Sequence, residues 1–187
     1  MRNAIPEPWN QFLHDLDNSL NRELSLVCIG GFVLAMLHGL ERPTSDLDFI
    51  ECRPKSECKG LLDIAGEGRR LHEKHGVFLQ YVSVAQLPDN YEDRLVAMFE
   101  GNFRYLRLYA LGPYDLALSK FERNSEKDRD DLLRLASVAD FDPQEFEGIY
   151  EEEFKLYVKD RLFHRTTFEF WLELINEQSS AVEDQDQ

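Results

Sequence analysis

The sequence predicts an α/β sheet domain followed by a helical C-terminal part. Apolar and alternating runs of strand length interleave with helical periodicities as far as about Leu111, and beyond that point only helical periodicities remain. The 187 residues are 43 % hydrophobic and 30 % charged, the profile of a globular chain long enough to bury a substantial core. No internal repeat interrupts this order, and no low-complexity segment occurs apart from the polar C-terminal tail.

Trp9 to Leu20 reads as an amphipathic helix, because Trp9, Phe12, Leu13, Leu16 and Leu20 recur at helical spacing. Leu24 to Ile29 is an apolar run of strand length, followed by Gly30-Gly31 and a helical stretch from Phe32 to Leu40. Glu41 to Ser45 contains Pro43 and several polar residues and reads as a turn. Asp46 to Cys52 alternates polar and apolar residues, as a half-buried strand does. Lys55 to His75 is mostly helical, weakened at Gly66 and Gly68 and ended by Gly76, and Val77 to Val84 is the next strand. A proline-bearing loop, Gln86 to Asn90, leads to a short helix expected over Tyr91 to Phe99. Phe103 to Leu111 is strand-like, its aromatics and leucines interleaved with Arg104 and Arg107.

Pro113, at a first helical position, opens a helix over Tyr114 to Arg123. Ser125-x-x-Asp128 fits the capping-box pattern and starts the next. Asp142-Pro143 begins another, and Thr166 to Glu177 is the last. The expected organisation is therefore an α/β core over residues 1–112, a helical part over 113–178 and a fraying polar tail over 179–187.

Acidic residues outnumber basic ones 36 to 21, for a formal net charge of -15 and a pI near 4.7. Such a surface repels phosphate backbones and argues against nucleic-acid coating or docking on an anionic membrane. A small anionic ligand then needs a locally positive pocket or bound metal ions. Met1 to Trp9 lacks the apolar core of a secretory signal, and the longest apolar stretch, Leu24 to Leu37, is too short to span a bilayer. Cys28, Cys52 and Cys58 are odd in number and lack paired spacing, which argues against a disulfide framework or a zinc site. A cytoplasmic location with no membrane partner is expected.

The stretch from Ile29 to Ile50 carries the chemistry. It holds a strand, a glycine pair opening a helix, the turn Arg42-Pro43-Thr44-Ser45, and a second strand bearing Asp46-Leu47-Asp48. Residues two apart on a strand point the same way, so Asp46 and Asp48 present both carboxylates from one face. Two like charges that close are costly unless a cation neutralises them, and hard oxygen ligands at that spacing suit Mg²⁺ or Mn²⁺ with substrate phosphates. The glycine pair lets backbone N–H groups at a helix start approach an anion closely. Together these parts suit a metal–triphosphate.

Gly-Gly, a helix, and Arg-x-Thr-x-Asp-Leu-Asp on a strand resemble the nucleotidyltransferase superfamily typified by DNA polymerase beta. Leu87-Pro88-Asp89-Asn90-Tyr91-Glu92-Asp93-Arg94-Leu95, Tyr114-Asp115-Leu116-Ala117-Leu118-Ser119-Lys120 and Arg123 to Leu132 extend the resemblance. They are similar to a bacterial group of small nucleotidyltransferase-like proteins related to the toxins of type IV abortive-infection toxin–antitoxin systems. The resemblance covers roughly Ser25 to Ala139 and implies a small mixed sheet of the polymerase-beta type with flanking helices.

It also implies metal-dependent transfer of a nucleotidyl group from an NTP to a hydroxyl acceptor on RNA, protein or a small molecule. In that scheme Asp46 and Asp48 bind metal, while Gly30, Gly31 and Ser45 hold the phosphates. Lys120, Arg123 and Lys127, nominally on one helical face, complement the triphosphate, and Asp128 and Asp131 orient these bases or bind the acceptor. The resemblance departs at one position. The superfamily supplies a third carboxylate from a neighbouring strand, and the matching strand here, Val77 to Val84, has Gln80, an amide that neither carries charge nor takes a proton. Glu51 or Glu73 substitutes only if the backbone brings it round.

Other readings stay open. The aspartates are also compatible with solvent-facing acids, the glycines with a plain strand-to-helix turn, and the three bases with surface ion pairs to Glu122, Glu126 and Asp131. His72 and His75 fit a favourable helix-end dipole better than a metal. Phe163, Phe168, Phe170 and Trp171 read as C-terminal core. Gln80 makes a catalytically degenerate member acting in nucleotide or partner binding the alternative function. Pro143 to Gln187, with 12 acidic and 4 basic residues, suits an antitoxin or regulator docking a basic partner.

Overall fold

A computed structural model describes residues 5–40, 43–138, 141–155 and 161–183. The chain divides into two units, one of Met1–Ala85 and Arg94–Leu111, the other of Gln86–Asp93 and Gly112–Gln187. The first is built on a five-stranded mixed sheet and the second on helices.

In the sheet unit the order is α1 (Trp9–Asn18), β1 (Leu24–Ile29), α2 (Gly30–Leu37), β2 (Asp46–Arg53), α3 (Cys58–Ala65), α4 (Arg70–His75), β3 (Phe78–Tyr81), β4 (Val96–Met98) and β5 (Leu106–Ala110). The strands lie in the order β3-β2-β1-β5-β4. β1 runs antiparallel to β2 and parallel to β5, β2 is parallel to β3, and β4 is antiparallel to β5. As the central strand, β1 buries five of its six residues, which is why its sequence is apolar without alternation. β2 alternates from Asp46 to Ile50, with Leu47 and Phe49 fully buried.

α1 buries Trp9, Phe12, Leu13 and Leu16, each worth about 1.5–3 kcal/mol on leaving water. Trp9 meets Phe32 of α2 edge-on at 4.7 Å. Buried Asp17, at the same helix, accepts hydrogen bonds from the backbone N–H groups of Arg104, Tyr105 and Leu106, at 3.0, 2.7 and 2.8 Å. Burial opposes that charge, but the N–H donors outweigh it and hold the carboxyl below its ordinary value. α1 is thereby pinned to the start of β5.

The helical unit contains α5 (Pro113–Leu118), α6 (Glu126–Val138), α7 (Pro143–Ile149), a π-helical turn at Tyr150–Phe154, and α8 (Arg161–Glu183). Its core is aromatic. Phe121, Phe146, Phe154, Phe168 and Trp171 are all buried, and Tyr150 stacks on Phe168 at 3.7 Å. Trp171 Nε1 donates to Asn124 Oδ1 at 2.9 Å. Of the four C-terminal aromatics read as core, Phe168 and Trp171 belong to it, whereas Phe163 and Phe170 are exposed.

Several elements differ from the sequence expectation. Tyr91 to Phe99 is not one helix: a 3₁₀ turn at Tyr91–Arg94 gives way to β4, whose Val96 and Met98 pair with Ala110 and Leu108 of β5. Phe99 at φ 54° then turns the chain, a conformation no helix interior tolerates. The span Lys55 to His75 breaks into a 3₁₀ turn, α3 and α4. The break falls at Gly66, where a Cβ would lie 2.6 Å from the Leu62 carbonyl oxygen.

β3 is shorter than the run Val77 to Val84, and Val84 is exposed. α5 stops at Leu118 because Lys120 N and Phe121 N bond three residues back, to Ala117 and Leu118, and draw both side chains inward. α8 continues through residues 179–183, which composition assigned to the fraying tail, while 184–187 lie outside the described residues. Glu41 and Arg42 of the predicted turn also lie outside them.

Other expectations meet their residues directly. The Ser125–Asp128 capping box is formed reciprocally: Asp128 N donates to Ser125 Oγ at 3.3 Å, and Ser125 N to Asp128 Oδ2 at 3.0 Å. Asp142 caps α7 by accepting from Gln144 N at 2.8 Å. All three cysteines are free thiols, and burial pushes Cys52 up to about 12. The two histidines, read as helix-end dipole partners, have specific partners instead: His75 Nε2 lies 2.8 Å from Asp15 Oδ2, and His72 Nδ1 accepts from Gly68 N at 2.8 Å. Among the described residues no helix is long and apolar enough to cross a membrane.

Candidate functional site

The candidate site grows from the junction of β1 with α2. β1 ends at Ile29, which pairs with Asp48 of β2, and the next residue, Gly30, has φ +75°. A Cβ there would lie 2.6 Å from Asp48 Oδ2. Glycine is therefore required twice over, by the left-handed backbone and by the carboxylate lying against it. One residue on, a Cβ at Gly31 would sit 3.3 Å from Thr44 Oγ1. Thr44 Oγ1 donates to Asp46 Oδ1 at 2.6 Å and lies 3.2 Å from the Asp46 carbonyl oxygen.

The first turn of α2 and the start of β2 thus close onto each other through two acids and one hydroxyl. Asp46 and Asp48 are both half-buried and, being alternate residues of one strand, share a face. Ser45, between Thr44 and Asp46, is exposed, and its carbonyl accepts from Phe78 N at 3.0 Å to align β3 beside β2.

Parallel pairing sets Asp46 opposite Phe78 and Asp48 opposite Gln80. Gln80 therefore occupies the position on the neighbouring strand directly beside Asp48, and it is exposed. Of the two acids that might replace it, Glu51 is bound in bidentate fashion by Arg53 at 2.8 Å through both oxygens, and Glu73 is exposed on α4. Among the described residues, no group of three or more acidic, histidine or cysteine side chains is arranged so that it could hold a metal ion. The donor set at Asp46 and Asp48 fits one hard divalent cation, since Mg²⁺ takes one or two carboxylates and completes its shell from substrate phosphates and water. A second cation would need a further carboxylate where the chain has Gln80.

The three basic candidates belong to the helical unit and do not share a helical face. Lys120 and Arg123 lie in the turn after α5, and Lys127 lies in α6. Lys120 is only 8 % exposed, with its Nζ 3.0 Å from Asp131 and 3.8 Å from Asp128. Arg123 Nε donates to Asp128 Oδ2 at 2.7 Å, and its terminal nitrogen to Oδ1 of the same carboxylate. Ser125 Oγ adds a hydrogen bond to Asp128 Oδ2 at 2.6 Å. Burial works against the Asp128 charge, but Arg123 and Ser125 overcome it and hold the carboxyl down at about 2. The two cations are balanced by the two fully buried aspartates. Lys127 is exposed.

The structure therefore brings Gly30, Gly31, Asp46 and Asp48 together and adds Thr44, to which the sequence reading gave no role. The signal was the alternation Thr44-x-Asp46-x-Asp48, which sets the hydroxyl two residues before the first acid.

Residues 10–178 match the model of a family described as nucleotidyltransferase of unknown function (DUF6036). No curated protein and no solved structure matches the chain.

Proposed function

The chain belongs to this nucleotidyltransferase family, and from that premise we propose that it binds an NTP with one divalent cation at Asp46 and Asp48 and transfers a nucleotidyl group to a hydroxyl acceptor. The observation that carries the reading is the closure of Gly30 onto Asp48, with 2.6 Å from the position of an absent Cβ to Oδ2. The missing Cβ and the left-handed backbone together leave room for the Asp48 carboxylate at the start of α2. A Mg²⁺ or Mn²⁺ held by Asp46 and Asp48 would offset the two carboxylate charges and screen their repulsion of the triphosphate.

Gly30 and Gly31 leave the first N–H groups of α2 accessible to phosphate oxygens, and Ser45 adds an exposed hydroxyl beside Asp46. In the transfer, the acceptor oxygen bonds to the α-phosphorus as the bond to the bridging oxygen breaks and pyrophosphate leaves. Gln80 cannot take the acceptor's proton, which passes to solvent. The acceptor is an RNA, a protein side chain or a small molecule. A place in a toxin–antitoxin module is part of the proposal, supported by the resemblance of its motifs to a bacterial group of small nucleotidyltransferase-like proteins related to type IV abortive-infection toxins.

One observation favours a second reading. Gln80 stands in register beside Asp48, where a third carboxylate would complete a two-metal site. A degenerate member would bind nucleotide, or a partner, without transfer.

Incubation with α-labelled NTPs, Mn²⁺ and total RNA or cell lysate tests both. The transferase reading expects an acceptor to become labelled and the label to vanish in Asp46→Asn with Asp48→Asn. Label that survives the double substitution rejects the site. Nucleotide binding by calorimetry with no labelled product supports the degenerate reading.

A further inference from the structure

We propose that Thr44 is a positioning residue that orients Asp46 so that its Oδ2 faces the cation; the inference rests on the metal–nucleotide reading above. The Thr44 hydroxyl carries one proton, and the 2.6 Å contact to Asp46 Oδ1 is its short hydrogen bond, the approach to the Asp46 carbonyl being longer at 3.2 Å. A carboxylate's terminal torsion is broad and nearly two-fold, so an isolated Asp46 would offer either oxygen at any angle. Bonding Oδ1 to a fixed hydroxyl removes that freedom and reserves Oδ2 for the ligand.

The hydroxyl is itself held. Thr44 is β-branched and stiff at χ1, and its oxygen packs against Gly31 at 3.3 Å from the place a Cβ would take. The sequence Gly31, Thr44, Asp46 thus forms a short relay from the first turn of α2 to the acid, and it assigns Gly31 a role in leaving room for the relay. Hydrogen-bond partners of metal-binding side chains commonly set affinity by 10–100-fold.

The test is Mn²⁺ titration of the full chain with a non-hydrolysable NTP analogue, followed by electron paramagnetic resonance, in wild type, Thr44→Ser, Thr44→Val and Asp46→Asn. Thermal melting of each metal-free protein accompanies it. Thr44→Val should weaken Mn²⁺ by roughly 10–100-fold. Thr44→Ser, which keeps the hydroxyl, should stay close to wild type, and the two should melt alike without metal.

If Thr44→Val melts lower yet binds Mn²⁺ as tightly as wild type, Thr44 only shapes the turn and the proposal is wrong. If Thr44→Ser loses affinity as Thr44→Val does, the hydroxyl is not the cause and the proposal is equally wrong. A wild-type chain that binds no Mn²⁺ overturns the site reading itself, and the role of Thr44 with it.

Discussion

Asp128→Asn should destabilise the protein at neutral pH and lose most of that effect in acid. Asp128 is fully buried and is bound by Arg123, Lys120 and the capping hydroxyl of Ser125. Its carboxyl titrates at about 2 in the folded chain against an ordinary value of 3.8. The unfolded carboxyl therefore takes up its proton at higher pH than the folded one. The resulting stability is complete above about pH 5 and is lost as pH falls through 4 toward 2, a gap of roughly 2 kcal/mol. Asp17, also held below its ordinary value, contributes in the same direction.

Replacing the carboxylate by an amide removes this contribution and leaves Lys120, only 8 % exposed, with Asp131 as its one remaining carboxylate in the pair described. The expected loss at pH 7 is about 2 kcal/mol, the value set by the carboxyl's displacement, because Lys120 keeps Asp131 at 3.0 Å and the largely exposed Arg123 regains water. At pH 2.5, where the wild-type carboxyl is losing its charge as well, the two proteins should differ by only about 1 kcal/mol. Urea unfolding followed by circular dichroism at both pH values measures this directly. Equal differences at pH 7 and pH 2.5, or a difference near zero at pH 7, would refute the buried-cluster account.

The site makes further demands. Gly30→Ala should cost about 1–2 kcal/mol for the left-handed backbone alone. It should also push Asp48 aside and weaken Mn²⁺ binding, so calorimetry and melting should fall together; a neutral substitution would mean that the turn relaxes without disturbing Asp48. Gln80→Glu sets a carboxylate in register beside Asp48. It should raise the Mn²⁺ bound per chain from one to two in a saturation titration with nucleotide analogue, and an unchanged stoichiometry would remove Gln80 as the reason for a single-metal site.

The parts of the fold legible in the sequence are those set by short-range periodicity and local chemistry. The limits of β1 at Leu24 and Ile29 follow from an apolar run bounded by Glu23 and the glycine pair. The alternation of Asp46-Leu47-Asp48-Phe49 places both acids on one face of β2, and the Ser125–Asp128 box marks the start of α6 before any tertiary contact is considered. Tyr91 to Phe99 misled because Val96-Ala97-Met98 is too short to declare a period, and only pairing with β5 makes it a strand.

The α/β order, the acid pair, the glycine pair and the amide at position 80 are legible along the chain, since each depends on residues a few positions apart. Tertiary structure alone decided the partners. Pairing of β2 with β3 put Gln80 beside Asp48, and packing of α2 against β2 put Gly30 against Asp48 and Gly31 against Thr44. The inward turn after α5, which buries Phe121 in the aromatic core, took Lys120 out of solvent and set it against Asp131. A side chain's charge is written in the sequence, but whether that charge meets water, a ligand or a buried counter-ion depends on which non-neighbouring segments pack against it.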